Sequence, residues 1–227
     1  MLYKILYKEG KNLDTNTIIE LAESVNIQNE KQSLTVAEKH PSLEVIGVGR
    51  SAVVFKIKST SKALKVFPPE YEHIASEEAE IYQLLNENSF FPKLYQSGKN
   101  YLLIDYINGY TLYDCLTLGI PLTEENIKEA DFALKLAKQQ GLNPSDIHLR
   151  NIILTPEGNI KLIDVARFRQ LSHDHQWDDI KFMFSRMYFR KYSPKKVPAF
   201  ILNGIAYLYK KKVIQVPLIR LKRTDNK

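Results

Sequence analysis

The apolar spacing of this chain changes period once along its length, and that change limits the folds open to it. From Leu43 to Tyr106 the apolar residues come in short runs suited to strands: Leu43–Gly47, Ala52–Lys58, Ala63–Phe67 and Tyr101–Tyr106. One helical stretch interrupts them, from about Tyr71 to Leu85, with Ile74, Ile81, Leu84 and Leu85 at helical spacing. Beyond Thr111 the pattern is mostly helical, broken once where Ile152–Leu154 and Ile160–Ile163 flank the turn Pro156-Glu157-Gly158-Asn159, which predicts a hairpin. Strands with one helix therefore come first, and helices with one hairpin second. The order predicts an α+β protein of two lobes with a cleft between them.

Ahead of the first strand, residues 13–25 predict a short amphipathic helix. Asp14 or Thr15 is its N-cap, and Ile18, Ile19, Leu21, Ala22 and Val25 form its apolar face. Residues 26–42 are polar and are expected to form a loop or linker. The expected divisions are an N-terminal extension over 1–42, a strand-rich lobe over 43–106, a helical lobe over 107–209 and a basic tail over 210–227.

The tail carries the charge. Net charge is +6, and Lys210 to Lys227 alone holds seven basic residues and one acidic, so the rest of the chain sums to zero. Such a segment can touch nucleic acid or another acidic surface, although a solvated terminus is the plainer reading. With 227 residues and 44% hydrophobic content, the core needs no disulfide staples, and the single Cys115 could not form an intramolecular one. No apolar run approaches the roughly 20 residues that span a bilayer, and no long apolar segment follows Met1. These features predict a cytoplasmic protein.

The residues with chemical potential fall at the ends of these elements. The first strand runs into Gly47-Val48-Gly49-Arg50-Ser51-Ala52-Val53-Val54. Two glycines one residue apart allow a tight turn whose backbone N–H groups can approach phosphates. A strand follows, not a helix, which argues against a dinucleotide-binding turn, and the Gly-Lys-Ser/Thr ending of a P-loop is missing. In Ala63-Leu64-Lys65-Val66 a lysine sits inside an apolar strand, where an unpaired ammonium is costly. Glu77, Glu78 and Glu80 on the next helix are its candidate partners. Further on, Asp146 and Asn151 stand five residues apart just before the hairpin, and Asp164 closes it. That set suits phosphoryl transfer, with one aspartate orienting the attacking hydroxyl and the other two residues holding Mg²⁺ against nucleotide phosphates.

Taken in order, these segments resemble the protein-kinase fold over about residues 43 to 180. The resemblance implies an antiparallel β-sheet lobe with one helix and a mainly helical lobe with a β-hairpin. It also implies ATP and Mg²⁺. Gly47, Val48, Gly49, Arg50 and Val54 match the glycine-rich loop, with Ala52 replacing its third glycine; Ala63 and Lys65 match the strand of the phosphate-gripping lysine. Glu78 is the preferred partner of Lys65, because Tyr82 and Leu85 then fall where the family has apolar residues; Glu77 and Glu80 stay open. Asp105 and Ile107 match the hinge whose backbone meets adenine. Asp146 matches the catalytic aspartate, Asn151 the metal-binding asparagine and Asp164 the aspartate of the Asp-Phe-Gly motif, here Asp164-Val165-Ala166.

The departures carry information. Pro144-Ser145 replaces the His-Arg before the catalytic aspartate, and His148 follows two residues after it, as in aminoglycoside-phosphotransferase-like kinases. Asp179, with Trp177, resembles the start of a helix bearing an anchoring aspartate, and no Ala-Pro-Glu motif lies between it and Asp164. The activation segment that docks peptides is therefore short. The segments Gly49–Ala52, Gly141–Asn151 and Ile163–Phe168 are similar to small serine/threonine-kinase-like proteins of Gram-positive bacilli. The resemblance implies phosphorylation of a protein, or of the chain itself; a small-molecule kinase and an ATP-binding pseudokinase are the alternatives. Lys65, Glu78, Asp146, Asn151 and Asp164 are all retained, which speaks against the pseudokinase.

Three lesser features have plainer readings. His173-Asp174-His175 supplies too few ligands for a metal, Cys115 suits helix packing, and the aromatics of Phe182–Tyr192 suit a packed helix face better than nucleic-acid stacking.

Overall fold

The computed structural model describes residues 14–30, 33–171 and 175–211. The expected α+β architecture is present. Its centre is a five-stranded antiparallel sheet of β3 (Leu43–Val48), β4 (Val53–Ile57), β5 (Lys62–Val66), β7 (Tyr101–Asp105) and β6 (Leu94–Ser97), in the spatial order β3-β4-β5-β7-β6.

Strand parity sorts the side chains of this sheet onto two faces. Phe55, Leu64, Val66, Tyr101 and Leu103 enter one core, together with Ile18, Leu21 and Ala22 of α1 (Thr15–Glu23) and Leu34. Ala63, Leu102 and Ile104 point the other way and join a core with α2 (Glu72–Leu85) and the helical lobe. Lys65 shares the parity of Ala63, so it must project toward α2. Both faces of β5 are covered, which is why four of its five residues are buried and why it reads as a continuous apolar run with a lysine in it.

α1 begins where expected, with the Asp14 carboxylate accepting a 2.8 Å hydrogen bond from the Thr17 N–H. The loop expected over residues 26–42 is a correction: β1 (Asn26–Glu30) and β2 (Ser33–Glu38) form an antiparallel hairpin. Only Leu34 is buried in it, with Ile27 and Val36 packed against the same core as α1. The other face of this ribbon is exposed and, Ala37 apart, polar, so its alternation is easily mistaken for loop composition. The strand β6 was also not expected, and α2 is preceded by a single 3₁₀ turn at Pro69–Tyr71.

The helical lobe contains α3 (Leu112–Leu118), α4 (Glu124–Gln139), α5 (Gln176–Met183) and α6 (Ala199–Lys210). Capping boxes start α3 (Thr111 with Asp114) and α4 (Thr123 with Asn126). The predicted hairpin is β9 (Ile152–Leu154) and β10 (Ile160–Leu162), widened to three strands by β8 (Tyr110–Thr111). Gly109, at φ +147°, lies so close to β9 that a Cβ would collide with the Leu154 carbonyl. α4 lays the stripe Ile127, Ala130, Ala133, Leu134 and Ala137 into the core. It also anchors the hairpin, since Asn126 Nδ2 donates to the Gly158 carbonyl (3.2 Å) and Glu129 accepts from the Ile160 N–H (3.2 Å).

Cys115 is buried in α3 and free, as expected of a packing residue. Of the aromatic segment Phe182–Tyr192, Phe184 and Tyr188 are buried in the helical lobe and Phe189 packs against the same core, while Tyr192 is exposed. His173, Asp174 and the tail from Lys212 onward lie outside the described residues. Among the described residues, no group of three or more His, Cys, Asp or Glu side chains could hold a metal, and no helix is long and apolar enough to cross a membrane.

Candidate active site

The parity of β5 delivers the Lys65 ammonium to the buried face of α2. There Glu78 meets it with both oxygens, at 2.6 and 2.8 Å. Glu78 is fully buried, on the same helical stripe as Ala75, Ala79, Tyr82 and Leu85. Glu77 is exposed, and Glu80 turns away to bond Arg169 at 2.5 Å. Of the three candidate partners, the structure therefore selects Glu78.

Asp164 completes the cluster, with Oδ1 3.3 Å from the Lys65 ammonium. Burial works against the charge on Lys65, but the carboxylates of Asp164 and Glu78 more than offset it and hold the amine above its usual range. The Lys65 ammonium in turn keeps the Asp164 carboxyl below its usual range. Burial pushes the Glu78 carboxyl up, opposed by Lys65. Tyr82 is buried on the same stripe as Glu78, and burial pushes its hydroxyl well above the usual tyrosine range.

The second half of the site is the loop between α4 and β9. It is held to the segment after Asp164 by two bonds of Asn143, its N–H to the Phe168 carbonyl and its amide to the Gln170 carbonyl, each 2.6 Å. Asn151 is buried, and its Nδ2 donates to the Asp146 carbonyl (3.2 Å), which fixes the amide and leaves Oδ1 as the acceptor end. The Asn151 carbonyl accepts from the Ile163 N–H (2.8 Å), so Asn151 and Asp164 are brought to the same end of the hairpin. One carboxylate and one amide oxygen are donors suited to a hard divalent cation that completes its shell with phosphate and water.

Asp146 and Asp164 share a further property that sequence reasoning missed. Both have left-handed backbone, at φ 60° and 65°, and Ser59 is the one other non-glycine residue of this kind among those described. Left-handed backbone costs a non-glycine residue about 1 kcal/mol or more and collects at functional sites, although Asp tolerates it better than most. Nothing in a single sequence signals it beyond the residue type.

The glycine-rich turn bends over this loop. Gly49 N–H closes it onto the Ala52 carbonyl (2.8 Å), and a Cβ on Gly49 would sit 3.2 Å from that oxygen. Val54 and Ala63 lie behind it on the face that carries Lys65. Gly47 pairs with Val54 just past a bulge, and Val48 is exposed. Arg50 at the tip reaches across to Asp146, Nη2 to Oδ2, at 2.6 Å. Arg167 approaches the same oxygen at 3.3 Å. His148 is half-buried nearby, and burial keeps its imidazole below the usual histidine range.

At the expected hinge, Asp105 ends β7. Its carboxylate takes bonds from Lys62 (3.2 Å), the Lys93 N–H (3.0 Å) and the Tyr95 hydroxyl (2.8 Å). Ile107 lies in the extended link to β8. Asp179 is buried in α5 and accepts from the Tyr209 hydroxyl of α6 at 2.6 Å.

No protein-family model matches the chain. Individual proteins do. A Bacillus subtilis protein, YrzF, whose name gives it only provisionally as a serine/threonine-protein kinase, is 44% identical over 205 residues, which is 89% of this chain and 95% of YrzF. Human ribosomal protein S6 kinase alpha-3 is 30% identical over 188 residues, covering 68% of this chain and 25% of that protein. A serine/threonine-protein kinase of Drosophila erecta is 26% identical over 165 residues, or 65% of this chain and 22% of its own length. Likeness to YrzF along nearly its whole length, on a fold that joins a buried Lys65–Glu78 pair to Asp146, Asn151 and Asp164, places the chain in the protein-kinase-like superfamily.

Proposed function

We propose that the protein is a phosphotransferase that moves the γ-phosphate of ATP to a serine or threonine hydroxyl of a protein acceptor, in the cytoplasm. The observation that carries this reading is the Lys65–Glu78–Asp164 cluster, a buried cation held between two carboxylates at 2.6 and 3.3 Å at the mouth of the sheet lobe. The sheet needs no such cluster for its packing, and a buried ion pair is weak support for stability. It suits a site that grips polyphosphate. The names of the relatives, a serine/threonine-protein kinase and a ribosomal protein S6 kinase, support a protein acceptor.

In this reading Lys65, oriented by Glu78, binds the α- and β-phosphates, and the turn around Gly47 and Gly49 covers them. Asp105 and Ile107 present backbone groups to adenine. Asn151 and Asp164 would hold Mg²⁺, which when bound neutralises charge on the phosphates. Asp146 aligns the acceptor hydroxyl. The hydroxyl oxygen bonds to the γ-phosphorus as the bond to the β,γ-bridging oxygen breaks. ADP leaves with that electron pair, and Asp146 takes the hydroxyl proton on its way to solvent. Catalysis then rests on positioning and preset charge.

Calorimetric titration with ATP, with and without Mg²⁺, tests the reading. Wild-type protein is expected to bind ATP more tightly with Mg²⁺, and Asp164→Ala to lose that enhancement. ATP binding that ignores Mg²⁺ in both proteins would contradict it.

A further inference from the structure

Resting on the phosphotransferase reading, we infer that the acceptor is an acidic peptide, a serine or threonine flanked by carboxylates, recognised by Arg50 and Arg167. Both guanidinium groups meet on Asp146 Oδ2, at 2.6 and 3.3 Å, from two elements: the glycine-rich turn and the segment after Asp164. Their side chains are 72% and 44% exposed, so neither is needed to fill the core. Arg150 is exposed on the same loop, its guanidinium stacked 3.4 Å from the Tyr113 ring centre and bonded to Asn203 of α6. Asp146 is thus met by cations from two elements, the glycine-rich turn and the segment after Asp164.

Both arginines lie on the Oδ2 of Asp146, the group that the phosphotransferase reading assigns to the acceptor hydroxyl. An acceptor that offers Arg50 and Arg167 another anion frees that oxygen as the hydroxyl arrives. The acceptor's own carboxylates, next to the reacting residue, are placed to take them, each exchange being one charge-assisted pair for another. A basic acceptor would bring like charges against both arginines and is selected against. The 72% exposure of Arg50 lets it swing without disturbing packing.

The test uses the full chain with Mg²⁺ and a non-hydrolysable ATP analogue. Fluorescent peptides carrying one serine flanked by glutamates, or by lysines, report binding by anisotropy. The glutamate peptide is expected to bind about tenfold more tightly, the range of two partly exposed charge pairs, and the gap to shrink as salt is raised. In Arg50→Gln/Arg167→Gln, both substitutions being at exposed positions, the preference should vanish. Asp146→Asn should bind the glutamate peptide more tightly than wild type, because it removes the internal competitor, and asparagine tolerates the left-handed backbone there. Equal or lysine-favoured binding in the wild type, or a preference that survives the double variant, overturns the inference. Offering the same peptides with hydrolysable ATP separates the two claims. Transfer to the lysine peptide keeps the phosphotransferase and rejects the acidic acceptor. Selective glutamate binding with no transfer keeps the acidic recognition and rejects the phosphotransferase.

Discussion

Lys65→Met isolates what the buried pair does. In the wild type Glu78 is fully buried and meets Lys65 with both oxygens, while Asp164 supplies the lysine with a second, half-exposed anion. Removing the ammonium leaves Glu78 among Ala75, Ala79 and Tyr82 with no opposing charge. Breaking a buried pair from one side costs about 3–5 kcal/mol. The cost depends on pH in a direction that the structure dictates. Burial already raises Glu78 above its usual 4.5, with Lys65 opposing. Without Lys65 the carboxyl rises further, and the folded state holds the proton more firmly than the unfolded chain does. Stability of the variant is therefore fully present below the unfolded value and lost as pH rises through the folded one. Urea unfolding should show the variant about 3–5 kcal/mol below wild type near pH 8 and much closer to it near pH 5. Adding Glu78→Leu, which removes the stranded charge, should recover most of the loss near pH 8. A cost below about 1 kcal/mol near pH 8, or the same cost at both pH values, would refute the argument that Glu78 is held ionised by Lys65.

Two further outcomes are expected. Ile18 is completely buried between α1 and the sheet, so Ile18→Ala should lower unfolding stability by about 2–5 kcal/mol, read by urea titration; a loss within error of zero would detach α1 from the cooperative core. Arg169 bonds Glu80 from 89 residues away at 2.5 Å and links α2 to the segment beyond Asp164, but both side chains are about half exposed. Arg169→Gln should change stability by no more than about 1 kcal/mol while lowering turnover, because Glu78 rides on the same helix. Unchanged turnover would show that the core alone holds α2 in place.

How far the sequence carried each part follows from how local its cause is. Lys65 could be read because its neighbours Ala63, Leu64 and Val66 are apolar on both parities, so a lysine between them has to find a partner. Glu78 was favoured over Glu77 and Glu80 on the resemblance, because Tyr82 and Leu85 then fall where the family has apolar residues, and these two share the buried stripe with Glu78. The order Asp146, Asn151, Asp164 was legible because Asn151 and Asp164 flank a hairpin set by short-range pattern and Asp146 stands five residues before Asn151. The β1–β2 hairpin was not, since a ribbon packed on one side needs only Ile27, Leu34 and Val36 and is otherwise polar. Arg50 on Asp146 was not either. The contact spans 96 positions, and an arginine at the tip of a turn looks like any solvated one. The left-handed backbone of Asp146 and Asp164 goes with a loop strapped to its neighbours through Asn143 and Asn151, and no local pattern announces it.

The most direct measurement of the central claim follows the terminal phosphate. Purified protein is incubated with γ-labelled ATP and Mg²⁺, alone and with the glutamate peptide, beside Asp146→Asn, and label is sought on serine and threonine. Label transferred by the wild type and reduced by about 10²–10⁴-fold in Asp146→Asn, at similar ATP binding, is the predicted result. Equal labelling by the two proteins, or ATP binding with no label on any hydroxyl, would contradict the account.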